Sequence, residues 1–282
     1  MKISIIIPAK NEAQGLSKVL PKLSNLYQDS EIIVVNDGSD DNTKEVCLEH
    51  NISVINHPKS MGNGASVKRG AREATGDILV FMDGDGQHDP EHIGVLLNTL
   101  HQGYDMVIGA RSKEGQANLF RHSANAFYNK FSSWITGQKI LDLTSGFRVV
   151  RADKFKQFIY LLPNGFSYPT TITMCFMRSG FPITYIPISV HKRLGKSHLK
   201  PIKDGIRFLL IIFKVGTLYS PIKIFFPISF FFFLTGFSYY LYTFFAMGRF
   251  TNMSALLLSI SVLIFLIGLV SEQITSLLYS KS

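Results

Sequence analysis

The sequence predicts an α/β domain with a mostly parallel sheet, followed by an interfacial amphipathic segment and two transmembrane helices. Three observations lead there. Short apolar runs alternate with helical stretches over roughly the first 110 residues. Basic residues then gather between Val190 and Lys223. Finally, two long stretches, Ile224–Met247 and Thr251–Ser271, contain no charged residue.

The runs Ile3–Ile7, Glu31–Val35, Ile52–Ile55, Ile78–Met82 and Met106–Ala110 read as strands. Between them Ala13–Leu26, Asn42–His50, Gly64–Thr75 and Pro90–Gln102 read as helices, the last with Asp89 as N-cap and Pro90 at its first position. Apolar strands without strict alternation, separated by helices, imply a parallel sheet covered on both faces. On such a sheet ligands bind beyond the carboxyl ends of the strands. Past residue 110 the pattern is less regular: Asn118–Thr136 reads as a helix, Gly146–Val150 and Ile183–Ile188 as strands.

The organisation expected is a catalytic domain over 1–198, juxtamembrane interfacial helices over 199–223 and a two-helix membrane region over 224–280. About half of the 23 phenylalanines crowd into the last quarter, and charged residues are only 17% of the chain, below the usual ~25%. As a helix, Ile224–Met247 extends ~36 Å, enough for a ~30 Å hydrocarbon core. Lys192, Arg193, Lys196, Lys200, Lys203, Arg207, Lys214 and Lys223, against Asp204 alone, suit a membrane interface. The net charge of +9 fits an anionic partner. Its concentration beside the spans, with no separate basic face interleaved with aromatics, argues for membrane lipid and against nucleic acid. Cys47 and Cys175 form no CxxC pair or disulfide framework, as suits a reducing compartment.

Three polar clusters follow three successive strands: Pro8-Ala9-Lys10-Asn11-Glu12, Asn36-Asp37-Gly38-Ser39-Asp40-Asp41 and Asp83-Gly84-Asp85-Gly86-Gln87-His88. Asp83 and Asp85, two apart at a strand end, should project to one side. Paired carboxylate oxygens suit Mg²⁺ or Mn²⁺, which also bind substrate phosphates. Gln87 offers a third oxygen, and Gly84 and Gly86 let a diphosphate approach the backbone. Alone, each cluster also reads as turn and capping chemistry; a doubly wound sheet would bring all three together. Ser60-Met61-Gly62-Asn63-Gly64-Ala65 resembles a phosphate-cradling loop but lacks the Lys-Ser/Thr of a P-loop. Gly64 is expected chiefly to position the helix, with a minor contribution to nucleotide binding.

The Asn36–Ser39 and Asp83–His88 clusters, with Thr144-Ser145-Gly146-Phe147-Arg148, resemble family 2 glycosyltransferases of the GT-A fold. The nearest likeness is to the dolichol-phosphate mannosyltransferase branch, which transfers sugars to polyprenyl phosphates. Arg193-Leu194-Gly195-Lys196-Ser197 resembles an Arg-x-Gly-x-Ser-Lys element of that branch. By position, the resemblance implies that Pro8, Ala9, Asn11, Glu12 and Asp37 hold the nucleobase and ribose. It implies that Asp83, Asp85 and Gln87 bind the metal, with Asp85 at the catalytic centre. Arg111, Arg121 and Arg148 would lie near substrate or acceptor phosphate, and Arg193 and Ser197 would meet phosphate oxygens. Three departures stand out. Phe166–Met177 has no carboxylate where the branch often has one, Ser197 is followed by His198, and no QxxRW motif is present.

A sugar hydroxyl needs a general base, whereas a phosphate monoester is already anionic at neutral pH. The missing carboxylate therefore fits an enzyme moving a sugar from a nucleotide-sugar to a polyprenyl phosphate with inversion. A hydroxyl acceptor on the same fold and a non-catalytic nucleotide-binding membrane protein are the competing readings; a homo-oligomer is left open. Basic residues flank the spans on the side of both termini, against Arg249 alone between them, so both termini should be cytoplasmic. A reporter fused after Ser282 is expected to read cytoplasmic and one inserted at Gly248 external. A cytoplasmic signal from Gly248 would leave only a re-entrant or surface-bound pair.

Overall fold

The computed structural model describes residues 1–111, 119–165, 167–190, 210, 213–214 and 216–279, with the backbone alone for 119–125 and 127. Seven strands form one sheet: β1 (Ile3–Ala9), β2 (Glu31–Asn36), β3 (Ser53–Asn56), β4 (Ile78–Phe81), β5 (Met106–Arg111), β6 (Arg148–Arg151) and β7 (Ile183–Ile188). Their order is β3-β2-β1-β4-β6-β5-β7. Every neighbouring pair is parallel except those of β6, which runs antiparallel to both β4 and β5.

Alternate residues of β1 serve opposite faces of the sheet. Ile5 and Ile7 pack with Leu16, Leu20 and Leu23 of α1 (Ala13–Leu26) and Leu96 and Leu100 of α4 (His92–Leu100). On the other face Ile6 packs with Val67 and Ala71 of α3 (Asn63–Glu73) and Phe155 of α6 (Ala152–Gln157), in a layer shared with Ile172 and Phe176 of α7 (Tyr168–Arg178). Burial on both faces explains why the strands read as apolar runs. The remaining helices of the domain are α2 (Thr43–Glu49) and α5 (Leu119–Thr136), with a 3₁₀ turn at Ile159–Leu161.

Three expectations need revision. The α4 helix begins at His92: Pro90 and Glu91 form a preceding turn, in which the Asp89 carboxylate accepts the Glu91 amide at 3.2 Å. The β4 strand ends at Phe81, so Asp83 and Asp85 lie in a loop and strand alternation does not set their directions. Helices α6 and α7 and the 3₁₀ turn occupy a region read only as irregular. The juxtamembrane segment lies mostly outside the described residues, as do Arg193 and Ser197.

At the end of the described chain, α8 (Pro221–Met247) and α9 (Asn252–Tyr279) pack side by side and are long and apolar enough to cross a membrane. Apart from Pro221 at the start of α8, their buried residues recur every seventh position, with Ser229, Gly236 and Thr243 on α8 and Ser254, Ser261, Gly268 and Thr275 on α9. Small residues let the two backbones approach, as membrane helix pairs require. Ser229 and Ser261 each donate to the other's carbonyl at 2.9 Å. Most of the large apolar side chains on the outer surfaces are exposed.

Helix α1 approaches the loop after β4 so closely that a Cβ at Gly15 would overlap the Gly84 carbonyl and lie 2.8 Å from the Asp85 carbonyl carbon. Backbone on both sides cannot yield. Gly15→Ala is therefore expected to cost about 1–3 kcal/mol, seen as a lower Tm, and to displace the 83–85 loop. An unchanged Tm would show that α1 shifts freely.

Candidate functional site

The strand register assembles one polar edge. Ala9 lies opposite Asn36, and Ile6 opposite Phe81, so the loops after β1, β2 and β4 emerge side by side. Because β6 is antiparallel, its beginning reaches the same edge: Phe81 and Ile108 both lie opposite Arg148. That reversal brings the 142–148 segment beside the acidic loop. Gly146 sits so close that an added Cβ would lie 3.0 Å from one Asp83 carboxylate oxygen and 3.3 Å from the other.

The first two loops are tied to each other. Asn11, in the left-handed region at φ 56°, donates its amide to Ser39 Oγ at 3.0 Å and accepts the Asp40 amide on Oδ1 at 2.8 Å. Glu12 and Ala13 donate their amides to Thr43 Oγ1 and Asp41 Oδ2, so side chains of the neighbouring loop cap the start of α1. In the acidic loop the Asp85 Oδ1 accepts the Gln87 amide at 3.1 Å, with Gly86 at φ 72° completing the turn. Asp85 is 7% exposed, whereas 38% of the Asp83 side chain is open. Behind them His88 stacks on Phe147 at 4.8 Å. Burial drives its pKa down to about 4, overriding the opposing pull of Asp85, so the ring is neutral at pH 7.

Arg111, ending β5, is held bidentately by Asp142: Nε donates to Oδ2 at 2.7 Å and Nη2 to Oδ1 at 2.9 Å. Nη2 also reaches Thr144 Oγ1 at 2.6 Å. Asp142 further accepts the amides of Arg111, Thr144 and Ser145, which shapes the turn into β6. Burial would raise the Asp142 pKa, but these donors and the Arg111 charge hold it below the usual carboxylate range. Burial would likewise lower the Arg111 pKa; Asp142 first, then Asp83 and Asp85, push it above its ordinary value. Arg111 is thus a fixed cation within electrostatic reach of both loop carboxylates.

The family model of Glycosyl transferase family 2 matches residues 4–159. The chain belongs to that family. A second model, the GtrB C-terminal hairpin, matches residues 220–277, which cover α8 and all but the last two residues of α9. A dolichol-phosphate mannosyltransferase of Pyrococcus furiosus is 39% identical over 121 residues, 41% of this chain and 34% of its own length. An undecaprenyl-phosphate 4-deoxy-4-formamido-L-arabinose transferase of Photorhabdus laumondii is 32% identical over 53% of this chain and 49% of its own length. The chain thus spans about a third to a half of these two relatives. An undecaprenyl-phosphate mannosyltransferase of Micrococcus luteus is 28% identical over 71% of this chain and 88% of its own. Among solved structures, glucosyl-3-phosphoglycerate synthase of Mycobacterium tuberculosis, in complex with Mn²⁺, UDP and glucosyl-3-phosphoglycerate, superposes with a TM-score of 0.61. It is 20% identical, over 75% of this chain and 77% of that one. That likeness establishes a GT-A-like fold.

Within the family 2 domain the structure moves several expected site residues into supporting positions. Arg148 is fully buried and faces no cleft. Its guanidinium donates to the carbonyls of Pro169 (3.1 Å) and Ser145 and to Thr173 Oγ1 (3.1 Å), clamping α7 to the start of β6. Gly64 is packed against the 163–165 backbone, where a Cβ would overlap the Pro163 carbonyl, so it holds α3 in place. The Asp37 carboxylate, 3% exposed, is filled by His57 Nδ1, Ser60 Oγ and the amides of Met61 and Gly62 at 2.7–2.9 Å. It pins the 57–62 loop. Pro8, Ala9 and Gly84 are buried, and the Ala9 carbonyl accepts the Asp37 amide at 2.8 Å. Asn11, Glu12, Asp83, Asp85, Gln87 and Arg111 stand at the edge. The Arg121 side chain, Arg193 and Ser197 lie outside the described residues.

Two contributors escaped the sequence reading, Asp142 and His57. Asp142 had a usable signal, since Asp-x-Thr-Ser is the pattern of a side chain capping its own following turn. The distant pairings with Arg111 and Asp37 had none. Asp142→Asn retains the shape and removes the charge, so about 2 kcal/mol of stability should be lost. The sign with pH follows from the depressed pKa. The contribution is fully present above the unfolded-state carboxylate value and disappears as pH falls through the lower folded value. Acid titration by circular dichroism should accordingly give Asp142→Asn a shallower loss of stability than the parent; parallel curves would deny the pair this role.

Proposed function

We propose that this chain transfers a sugar from a nucleotide-sugar, such as GDP-mannose or a UDP-hexose, to a polyprenyl phosphate at the cytoplasmic face of a membrane. One observation carries the reading. A part-open acidic loop and an arginine fixed by its own carboxylate meet at one sheet edge, in a chain that continues into two apolar helices. The names of the dolichyl- and undecaprenyl-phosphate relatives support the acceptor class, and the mycobacterial neighbour with Mn²⁺ and UDP supports the donor class.

The donor set fits a hard divalent cation, Mg²⁺ or Mn²⁺. Asp83, Asp85 and Gln87 offer oxygens only, and no convergent group of three carboxylate, histidine or cysteine ligands exists among the described residues. Such a partial set is completed by substrate phosphates and water. When bound, the ion neutralises charge on the departing diphosphate. The protein's own contribution is orientation. Arg111 is held rigid by Asp142 and cannot fold back onto the loop carboxylates. Helix α7 presents no carboxylate, and Asp142 is engaged by Arg111, so neither supplies a base. An acceptor phosphate oxygen needs none: it bonds to the anomeric carbon, the carbon–oxygen bond to the diphosphate breaks, and the nucleoside diphosphate leaves with the electron pair. Attack opposite the leaving group inverts the anomeric centre.

Purified protein in detergent, given nucleotide-sugar and polyprenyl phosphate, tests this directly. Chelation should stop transfer reversibly, and Asp83→Ala or Asp85→Ala should abolish it in folded protein. Full activity in excess chelator would remove the metal from the scheme, and transfer to a lipid alcohol but not a lipid phosphate would replace the acceptor. Arg193→Lys retains the charge but loses bidentate geometry. It should raise the apparent KM for polyprenyl phosphate, roughly 10-fold, more than that for the donor.

A further inference from the structure

Helix α9 carries a single charged residue, Glu272, two turns or ~10 Å before its last residue. A carboxylate within an otherwise apolar span is costly unless partnered, and such residues mark functional positions. Both oxygens are engaged. Oε1 accepts from Arg178 Nη2 at 3.0 Å, and Oε2 accepts the Ile222 amide at 3.3 Å. Arg178 is the last residue of α7, in the catalytic domain; Ile222 lies in the first turn of α8. One side chain therefore joins the catalytic domain, the start of the first apolar helix and the end of the second. The Arg178 guanidinium also lies 5.9 Å from the Tyr219 ring centroid.

The other end of α7 reaches the site. Tyr168 OH donates to the Gly146 carbonyl at 3.4 Å, Arg148 grips Pro169 and Thr173, and Gly146 abuts Asp83. Eleven residues of helix thus run from the acidic loop to Glu272. Further contacts surround the pair: the Lys223 ammonium and Tyr219 OH donate to the carbonyls of Ile135 and Thr136 at the end of α5, and Tyr160 OH donates to that of Leu278. Tyr279 OH also donates to Cys175 Sγ at 3.4 Å and Thr275 Oγ1 to the Thr217 carbonyl at 3.0 Å, so these bonds fix the rotation of α9 together with the ion pair, which among them joins opposite charges. Turning α9 about its axis would carry an unpaired carboxylate among the exposed apolar side chains of the hairpin.

We infer that the Arg178–Glu272 pair is a positioning joint that fixes the height and tilt of the catalytic cleft above the bilayer, so that a phosphate anchored at headgroup depth reaches the acidic loop. The inference rests on the lipid-phosphate acceptor proposed above. A cleft held at the wrong height still binds its nucleotide-sugar and still serves an acceptor that diffuses freely in water.

The test uses full-length protein in phosphatidylcholine vesicles, with Arg178→Gln, Glu272→Gln, Arg178→Lys and the parent. Each is assayed with a long-chain polyprenyl phosphate in the bilayer and a short water-soluble one. Either glutamine variant should raise the KM for the long-chain acceptor roughly 10- to 100-fold, since a displacement near 1 Å carries effects of that order. The KM for the donor, and kcat and KM with the short acceptor, should stay unchanged. Arg178→Lys, retaining the charge, should restore most of the loss. A fluorophore on Lys139→Cys, specific because Cys47 and Cys175 are buried, should change its quenching by headgroup-labelled lipid in the glutamine variants only. Equal losses on both acceptors would reduce the pair to a fold-stabilising contact, and unchanged long-chain KM and quenching would overturn the joint. If the parent uses neither phosphate, the acceptor assignment fails, and the quenching still decides whether the pair sets the height.

Discussion

A guanidinium without exposed surface, that of Arg148, joins the parts of this molecule that have to agree in position. Removing such a group from water is expensive, and the cost is offset only when its donors find partners. Here the partners of the two terminal nitrogens are two carbonyls and a hydroxyl, at Ser145, Pro169 and Thr173, while Nε is buried without one. They belong to the turn into β6 and to α7. Fixing them together fixes Gly146 against Asp83, and so the wall beside the acidic loop. An arginine at the start of a strand becomes the bolt between the sheet and the helix behind the site.

A second ionic device works at the surface of the same cleft. Arg111 and Asp142 satisfy each other so fully that Arg111 has one orientation, while Thr144 and Ser145 take their turn geometry from the same carboxylate. The two arginines use the same chemistry to different ends. Arg148 gives its donors to two carbonyls and a hydroxyl and vanishes into the core. Arg111 remains about one-third exposed, with its charge within reach of Asp83 and Asp85. Asp37 follows Arg148, with four donors filling its oxygens. Among the polar residues around the edge, the cleft is therefore lined by a few groups and supported by the rest.

The hairpin applies a related logic to two helices long and apolar enough to cross a membrane. Its two helices meet through small residues at every seventh position, a spacing that keeps one seam facing the partner over their length. With the outer surface left to phenylalanine and leucine, the ionisable contact at Glu272 stands where the hairpin meets the catalytic domain.

The strands, most helices and the two apolar spans were legible in the sequence because each announces itself locally, by apolar runs, by period or by length. The loops after β1, β2 and β4 were legible as neighbours because a parallel sheet leaves their common edge no alternative. Helix α7 was not, for two physical reasons. Tyr168 to Met177 are all buried, so no amphipathic period exists to detect, and its threonines are poor helix formers. Nor did residue type separate Arg111 from Arg148, or Asp83 from Asp37. A carboxylate or guanidinium has the same chemistry at every position in a sequence; which one meets solvent and which one is consumed by buried donors is decided by contacts between residues far apart in the chain. By itself, the sequence determined the order of elements, the edge on which the site is built and the membrane-like character of the hairpin. Only the tertiary structure, by reversing β6 and burying α7, decided which polar residues at that edge stand open and which hold the others in place.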